Sequence, residues 1–304
     1  MMPRLAITGG GGFVAGSVIR QAGAQWEVHA LSGKQPVAER PGLVWHTLDL
    51  KQPAEVRAAF DAIAPNVVLH AAAIGDIDFC ENHPEAARAV NVDMTECIAA
   101  CCARHHARLI YCSTDNVFDG NAGNYAEGDR PAPVNEYART KAAGETIVAA
   151  HVADAVIARL ALVMGFGLLR GGTGAGGNSF LERTVPMLRE GRTIYVPPEE
   201  IRTPIDVVTL GRALLELAAS DFRGTLHLAG SEALDRVALT RRLARRLGFS
   251  SDTVVPRSPT QIAGRARRPR DVSLNNAQAQ ATLTTPMRDF DAALDLILEV
   301  SGSR

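Results

Sequence analysis

Tyr137 and Lys141 stand four residues apart in the run Glu136-Tyr137-Ala138-Arg139-Thr140-Lys141. On a helix that spacing puts both side chains on one face, within reach of each other. A phenol beside an ammonium is a way to make a proton donor. Tyrosine ionises near pH ~10, and a neighbouring cation favours the phenolate and draws the pKa toward neutrality. The plain alternative is a surface helix pair worth about a few tenths of a kcal/mol. Upstream, Leu109-Ile110-Tyr111-Cys112 is a short apolar run that ends in Ser113-Thr114-Asp115. This is the pattern of a buried strand whose carboxyl end opens into a site. Thr114 offers a hydroxyl there for a carbonyl oxygen.

Such groups need elements to hold them, and the N-terminus supplies the first. Pro3-Arg4-Leu5-Ala6-Ile7 is a compact apolar run followed by Thr8-Gly9-Gly10-Gly11-Gly12-Phe13-Val14-Ala15-Gly16. A strand, a glycine turn and then a helix, expected over Ser17 to Ala22, form the arrangement that cradles a pyrophosphate. Glycines let the backbone approach the phosphates, and the helix N-terminus presents unpaired N–H groups. The register is Gly9-x-x-Gly12-x-x-Ala15.

These motifs, with Ser113-Thr114-Asp115 and Tyr137-x-x-x-Lys141 in the same order, resemble the extended short-chain dehydrogenase/reductase family. The nearest likeness is to its dTDP-4-dehydrorhamnose reductase branch. Asp78-x-x-Glu81, Ala89-Val90-Asn91-Val92, Val117-Phe118-Asp119-Gly120, Arg202-Thr203-Pro204-Ile205-Asp206 and Arg268-Pro269-Arg270 extend the resemblance over nearly the whole chain. It implies an α/β fold, a Rossmann-type doubly wound parallel sheet with a smaller C-terminal α/β subdomain for substrate. Residues 1–163, with 203–229 returning to them, would bind the dinucleotide; 164–202 and 230–304 would bind substrate. By resemblance the cofactor lies along Gly9, Gly12, Phe13, Val14, Ser32, Lys34, Asp49, Leu50, Ala71, Ala72, Ala73 and Asn91. Tyr137 donates the proton, Lys141 lowers its pKa and holds the ribose hydroxyls, and Thr114 bonds the carbonyl oxygen. Asp78, Asp115, Asn116 and Arg268 face the substrate.

Two positions depart from the branch. Phe79 stands where it has a lysine, and Asn116 where it has a tyrosine. Dehydratases of the same family carry Thr-Asp-Glu where this chain has Thr114-Asp115-Asn116. An amide cannot act as a base, which argues against dehydration.

Bulk properties fit a soluble enzyme. The 304 residues carry 32 basic and 33 acidic side chains, so no general pull toward nucleic acid or membrane is implied. Hydrophobic content of 46% is ordinary, and the length suffices for a sizeable core in one large domain or two small ones. No apolar run approaches the ~18 residues of a bilayer span. Met1-Met2-Pro3-Arg4 leads directly into a strand, unlike a signal peptide. Five cysteines, with Cys97, Cys101 and Cys102 together on an expected helix, suggest reduced thiols in a cytoplasm. Cys97 and Cys101 lack further ligands at zinc spacing, so no metal is expected.

The remaining elements follow in order. Trp26 to Leu31 reads as the second strand, followed by Ser32-Gly33-Lys34 with no acid to accept a ribose 2′-hydroxyl. That favours NADP(H), with NAD(H) as the alternative; Lys34 is equally readable as a solvated loop charge. Asp49, after the third strand, is readable as the N-cap of a helix near Ala54 to Ile63. Asn66 to Ala73 reads as a buried parallel strand, with His70 an interior histidine. Asn91 is equally a cap or core amide. A further strand is expected over Ala155 to Val163, helices over Ser179 to Glu190, Thr209 to Ala218 and Phe290 to Val300, and Asp206 as a cap. The segment 171–177 is glycine-rich without a preceding strand, more suited to a lid than to a second nucleotide loop. The tail is arginine-rich. In Arg241-Arg242-Leu243-Ala244-Arg245-Arg246-Leu247 the cations read as a solvated helix face. Arg265, Arg267, Arg268 and Arg270 form a loop suited to a diphosphate. Nucleic-acid binding would need interleaved aromatics, which are lacking.

The reading that results is a reductase of a 4-keto sugar nucleotide. A non-catalytic NADP-binding regulatory subunit of another enzyme and a sugar-nucleotide epimerase remain open. A homodimer is allowed but not specified.

Overall fold

The computed structural model describes residues 2–33, 41–169, 179–258 and 264–302. Lys34 and the glycine-rich segment 171–177 fall outside the described residues.

Leu5 and Ile7 point to one side of the first strand, and Ala6 and Thr8 to the other. That alternation is the simplest expression of how the molecule is layered. β1 (Arg4–Thr8) lies inside a seven-stranded sheet, next to its middle strand, with β2 (Glu27–Ser32), β3 (Leu43–Thr47), β4 (Val67–His70), β5 (Arg108–Thr114), β6 (Ala155–Leu160) and β11 (Gly224–Leu228). The spatial order is β11-β6-β5-β4-β1-β2-β3, every pair parallel. Parallel neighbours need crossovers, and the helices that supply them cover both faces, which is why β5 is buried at every residue. On one face Leu5, Ile7, Ile110 and Val156 pack with α1 (Phe13–Gln21) and α8 (Val207–Ala219) through Val18, Ile19, Leu210 and Leu214. On the other, Ala6, Val68, Leu109 and Tyr111 meet α2 (Pro53–Ile63), α5 (Met94–His105) and α6 (Glu136–His151) through Val56, Phe60, Ile98 and Val148.

The order reverses between β1 and β4, so the crossovers from their carboxyl ends part to opposite faces. In such sheets this switch point is where a crevice opens. The glycine turn after β1, the residues after β4 and Thr114 at the end of β5 all lie on this edge.

A third core joins α7 (Phe180–Arg189), α9 (Arg236–Arg246) and α11 (Phe290–Ser301) through Phe180, Leu243, Phe290 and Leu294, with Ile194 and Val254 from the parallel pair β8 (Ile194–Val196) and β13 (Val254–Pro256).

Several elements differ from the sequence expectation. The first helix begins at Phe13, not Ser17, because Gly12 is its N-cap and needs no side chain to start the turn. Asp49 does not cap α2. The cap is Gln52, with Pro53 opening the helix, while Asp49 accepts from the Lys51 amide in a tight turn before it. The run Ala155 to Val163 breaks after Leu160; Val163–Met164 leaves the sheet to pair with Ile205–Asp206. The arginines of α9 are not merely solvated. Arg242 grips Asp291 with two hydrogen bonds, 3.0 and 2.6 Å, and Arg246 pairs with Asp295, fastening α11 to α9. Asp206 does cap α8, accepting from the Thr209 amide at 2.6 Å.

Candidate active site

The site assembles from the phosphate end. Gly9 has φ +70°, and a Cβ there would lie 2.9 Å from the Ala72 Cα. Only glycine adopts that backbone and allows that approach without strain. The Gly12 amide bonds back to the Gly9 carbonyl at 2.7 Å, closing the turn, and the Gly10 amide reaches Leu31 on β2 at 3.1 Å. Phe13 and Val14 open α1, which has no acidic residue in its first turn. An anion at this end would meet a helix N-terminus with no competing carboxylate. The backbone therefore fits a pyrophosphate on its own conformation and packing.

Along the same edge, Ser32 ends β2, buried, and its carbonyl accepts from the Leu48 amide at 3.1 Å. Asp49 and Leu50 follow β3, half-buried, with the Asp49 amide held by Glu55. Ala71 and Ala72 are half-buried and Ala73 exposed. The Ala72 amide donates to Thr8 at 3.2 Å. His70 is wholly internal: Nδ1 meets the Thr8 hydroxyl at 2.7 Å and Nε2 the Thr95 hydroxyl at 3.0 Å. Burial, then the Lys141 charge, push it down to about 3, so it stays neutral and structural.

Asn91 lies in a π-helical turn, Ala89–Asp93. Its Oδ1 accepts from the Ile74 amide at 2.8 Å, while Nδ2 donates to the Ile74 carbonyl at 3.1 Å and to Thr140 at 3.0 Å. These bonds make Asn91 a brace between the segment after β4 and α6.

Thr114 and Tyr137 approach each other across β5 and α6, and Lys141 follows Tyr137 by one helical turn. The capping side chain of Asn135 accepts from the Ala138 amide at 2.9 Å and so starts α6 just ahead of Tyr137. Thr114 lies near enough to the Tyr137 phenol to act on its ionisation. Thr114 Oγ1 donates to Asp115 Oδ1 at 3.1 Å and accepts from the Asn116 amide at 3.2 Å. Asn116 Nδ2 also donates to Asp115 Oδ1 at 2.7 Å. Asp115 Oδ2 and Asn116 Oδ1 are buried and have no hydrogen-bond partner among the described residues. These two acceptors and the Thr114–Tyr137 pair form a polar end to an apolar strand.

The electrostatics differ from the sequence expectation. The Tyr137 pKa is raised above its ordinary value, not lowered. Burial disfavours the phenolate most; the nearby Thr114 hydroxyl opposes this, and the Asp115 carboxylate adds to it. Lys141 packs its ammonium over the Tyr111 ring, 4.1 Å from the centroid. Its pKa falls to about 8, chiefly from burial, with Cys112 and then Glu145 pulling the other way. A raised phenol pKa still suits a reduction, because it keeps the proton on Tyr137 at neutral pH and an alkoxide is a far stronger base.

Asp78 and Arg268 meet each other. Arg268 Nη2 donates to Asp78 Oδ2 at 2.7 Å, Nη1 bonds Oδ1, and the Ala266 amide also reaches Oδ1 at 2.7 Å. Arg268 is thereby committed to tying the loop 264–270 to α3 (Ile77–Asn82). A second group of arginines gathers around Glu200, and of these Arg202 also donates to the carbonyls of Ile201, Arg270 and Pro269. Glu200, buried, pairs with Arg265 and lies 3.9 Å from Arg202, and Arg236 sits over the Phe180 ring at 4.6 Å. Burial first, then the cations Arg202, Arg183 and Arg265, lower Arg236 to about 10, with Glu200 opposing. Arg202 also acts on Asp115, so this positive cluster adjoins the Thr114 end of the site. The excess of arginine between Arg236 and Arg270 was its only sequence signal.

The RmlD substrate binding domain family matches residues 3–302 of this chain. The chain belongs to this family. Among RmlD-family relatives, a dTDP-4-dehydrorhamnose reductase of Mycobacterium tuberculosis is 33% identical over 298 residues, covering 96% of this chain and 91% of its own. A probable low-salt glycan biosynthesis reductase of Haloferax volcanii is 30% identical over 294 residues, covering 94% and 95%. The crystal structure of dTDP-4-dehydrorhamnose reductase from Bacillus anthracis, in complex with NADP, superposes with a TM-score of 0.87 over 98% of this chain and 99% of that one, at 22% identity. The Rossmann-type α/β fold is thus shared with that structure. No helix among the described residues is long and apolar enough to cross a membrane.

Proposed function

We propose that the chain is an NADP(H)-dependent oxidoreductase that reduces a 4-keto sugar nucleotide, with Thr114, Tyr137 and Lys141 as its catalytic residues. The observation that carries this is the placement of Tyr137, in the first turn of α6, close to Thr114 at the carboxyl end of β5, beside the switch point of the sheet. The relative named dTDP-4-dehydrorhamnose reductase supports the substrate class, and the relative named as a glycan biosynthesis reductase supports a reduction.

A bound nicotinamide dinucleotide would supply the hydride. Gly9, Gly12, Phe13 and Val14 would hold its pyrophosphate. Ser32 and the absence of an acid at the end of β2 favour a 2′-phosphate, hence NADP(H); the NADP in the Bacillus anthracis relative agrees. Asp49 and Leu50 would flank the adenine, and Ala71 to Ala73 leave room for the nicotinamide half. Tyr137 donates its proton to the oxygen of the reduced carbonyl, Thr114 holds that oxygen, and Lys141 binds ribose hydroxyls. Residues 1–163 and 203–229 would serve the cofactor, and 164–202 and 230–304 the substrate. We assign the substrate diphosphate to the cationic cluster of Arg202, Arg236 and Arg265, where three guanidinium groups gather around the single carboxylate of Glu200. Asp115 and Asn116, with their unpaired acceptors, would meet sugar hydroxyls.

The test is NADPH oxidation against a panel of 4-keto sugar nucleotides, beside thermal-shift titration with NADPH. Turnover by the wild type, with Tyr137→Phe binding NADPH normally but inactive, is the expected result. NADPH binding without turnover of any such substrate would overturn it.

A further inference from the structure

Beneath the Tyr137–Lys141 helix lies a buried ion pair that the chemistry above does not use. Glu145 follows Lys141 by four residues and Tyr137 by eight, on the same face of α6. Its carboxylate accepts from Ser113 Oγ at 2.5 Å and takes the Arg159 fork, Nε to Oε1 at 3.0 Å and Nη2 to Oε2 at 2.9 Å. Ser113 and Arg159 are direct partners across the β5–β6 ladder. One carboxylate from the helix layer thus clamps both strands of the sheet at a single register position, one residue before Thr114. Arg159 is further held by the Glu127 carbonyl at 3.2 Å and lies over the Phe118 ring. The side chains of Glu145 and Arg159 are only 8% and 5% exposed.

The contact continues one turn back. Tyr111 Oη donates to the Lys141 carbonyl at 3.3 Å. A Cβ at position 144 would lie 2.1 Å from that hydroxyl, so only Gly144 lets α6 settle this close to β5. A buried pair of charges is weak evidence for stability, since desolvation consumes most of the Coulombic gain; fixing a register is its best-attested use.

We propose that Glu145, clamped by Ser113 and Arg159, is the positioning residue that sets Tyr137 and Lys141 against Thr114. This rests on the catalytic reading above. Glu145 acts through the helix and touches no reacting atom. Lys141 also faces Tyr111 and Cys112 on β5 and His70 on β4. His70 and Cys112 are held neutral by burial, which leaves Glu145 as the carboxylate acting on Lys141.

The experiment uses Glu145→Gln and, because that change strands a buried guanidinium, the double variant Glu145→Gln/Arg159→Met. Two readouts are taken: steady-state kinetics and the pH dependence of Lys141 acylation by acetic anhydride, followed by mass spectrometry. We expect both variants to lose on the order of 10²-fold in kcat with KM little changed, the cost of a small misplacement of reacting groups. The acylation midpoint of Lys141 should move to lower pH in both, even where the double variant regains the wild-type melting temperature. A folded double variant with wild-type kcat and an unmoved midpoint would overturn the proposal. Acylation needs no substrate, so a shifted midpoint in a protein without turnover would instead indict the catalytic reading.

Discussion

Arg268 closes on Asp78 with both prongs of its guanidinium, joining a loop near the C-terminus to a helix that follows β4. The hydrogen bond from Arg268, more than anything else, holds the Asp78 carboxyl below its usual range. Asp78 is 41% exposed, so the pair should contribute no more than about 1 kcal/mol. The folded pKa is depressed, so this contribution is complete above the unfolded value of ~3.9 and fades as pH falls through the lower folded one. Asp78→Asn should therefore lower the melting temperature slightly at pH 6 and not at all near pH 2, measured by a thermal scan. It should also raise KM through the loosened loop.

Tyr137→Phe keeps the ring and removes the proton. Loss of general acid catalysis should cost about 10²- to 10⁴-fold in kcat, with NADPH affinity held within a few-fold in fluorescence titration. A variant retaining most of the wild-type rate would place the acid elsewhere.

Lys141 titrates near 8 when buried, against 10.5 ordinarily. Between those values the unfolded chain holds more protons than the folded one, so stability rises with pH across that window. The gain from this one residue is about 2–3 kcal/mol, and Lys141→Met should abolish it in denaturant melts at pH 7.5 and 10. If the charged amine binds ribose hydroxyls, cofactor affinity should fall over the same window in the wild type.

Arg202 and Arg236 are proposed to meet the diphosphate. A charge-assisted hydrogen bond is worth about 1.5–3 kcal/mol, so Arg236→Met should raise KM for the sugar nucleotide by roughly 10- to 150-fold. The Kd for NADPH should not change. A parallel rise in both constants would mean that the lobe itself had been disturbed.

Gly9→Ala introduces a methyl group 2.9 Å from the Ala72 backbone at φ +70°. The left-handed conformation alone costs about 1–2 kcal/mol. Nucleotide binding should be lost in calorimetry before the fold is.

The features legible in the sequence were those that local pattern sets. The continuous apolar character of Leu109 to Cys112 marked a strand covered on both faces, and the glycine run marked a turn that side chains would obstruct. The four-residue spacing of Tyr137 and Lys141 was enough to place them on one face of α6. What stayed hidden depends on partners far along the chain. Arg268 looked available because Asp78 lies 190 positions away. The arginines of α9 looked solvated because Asp291 and Asp295 belong to a helix about fifty residues on. The Tyr137 pKa could not be read from Lys141 alone, because enclosure, a tertiary property, outweighs one neighbouring charge.

The loop that carries Arg268 has hold of more than one element. The carbonyl of Arg267 accepts from Asn135, the cap of the helix bearing Tyr137, at 2.9 Å, while Glu81 on α3 accepts from the Glu136 amide at 2.9 Å. Whatever seats itself against that loop therefore pulls on the first turn of α6, as a bowline takes up slack. The first turn of α6, which carries Tyr137, is thus anchored to a loop more than a hundred residues further along the chain.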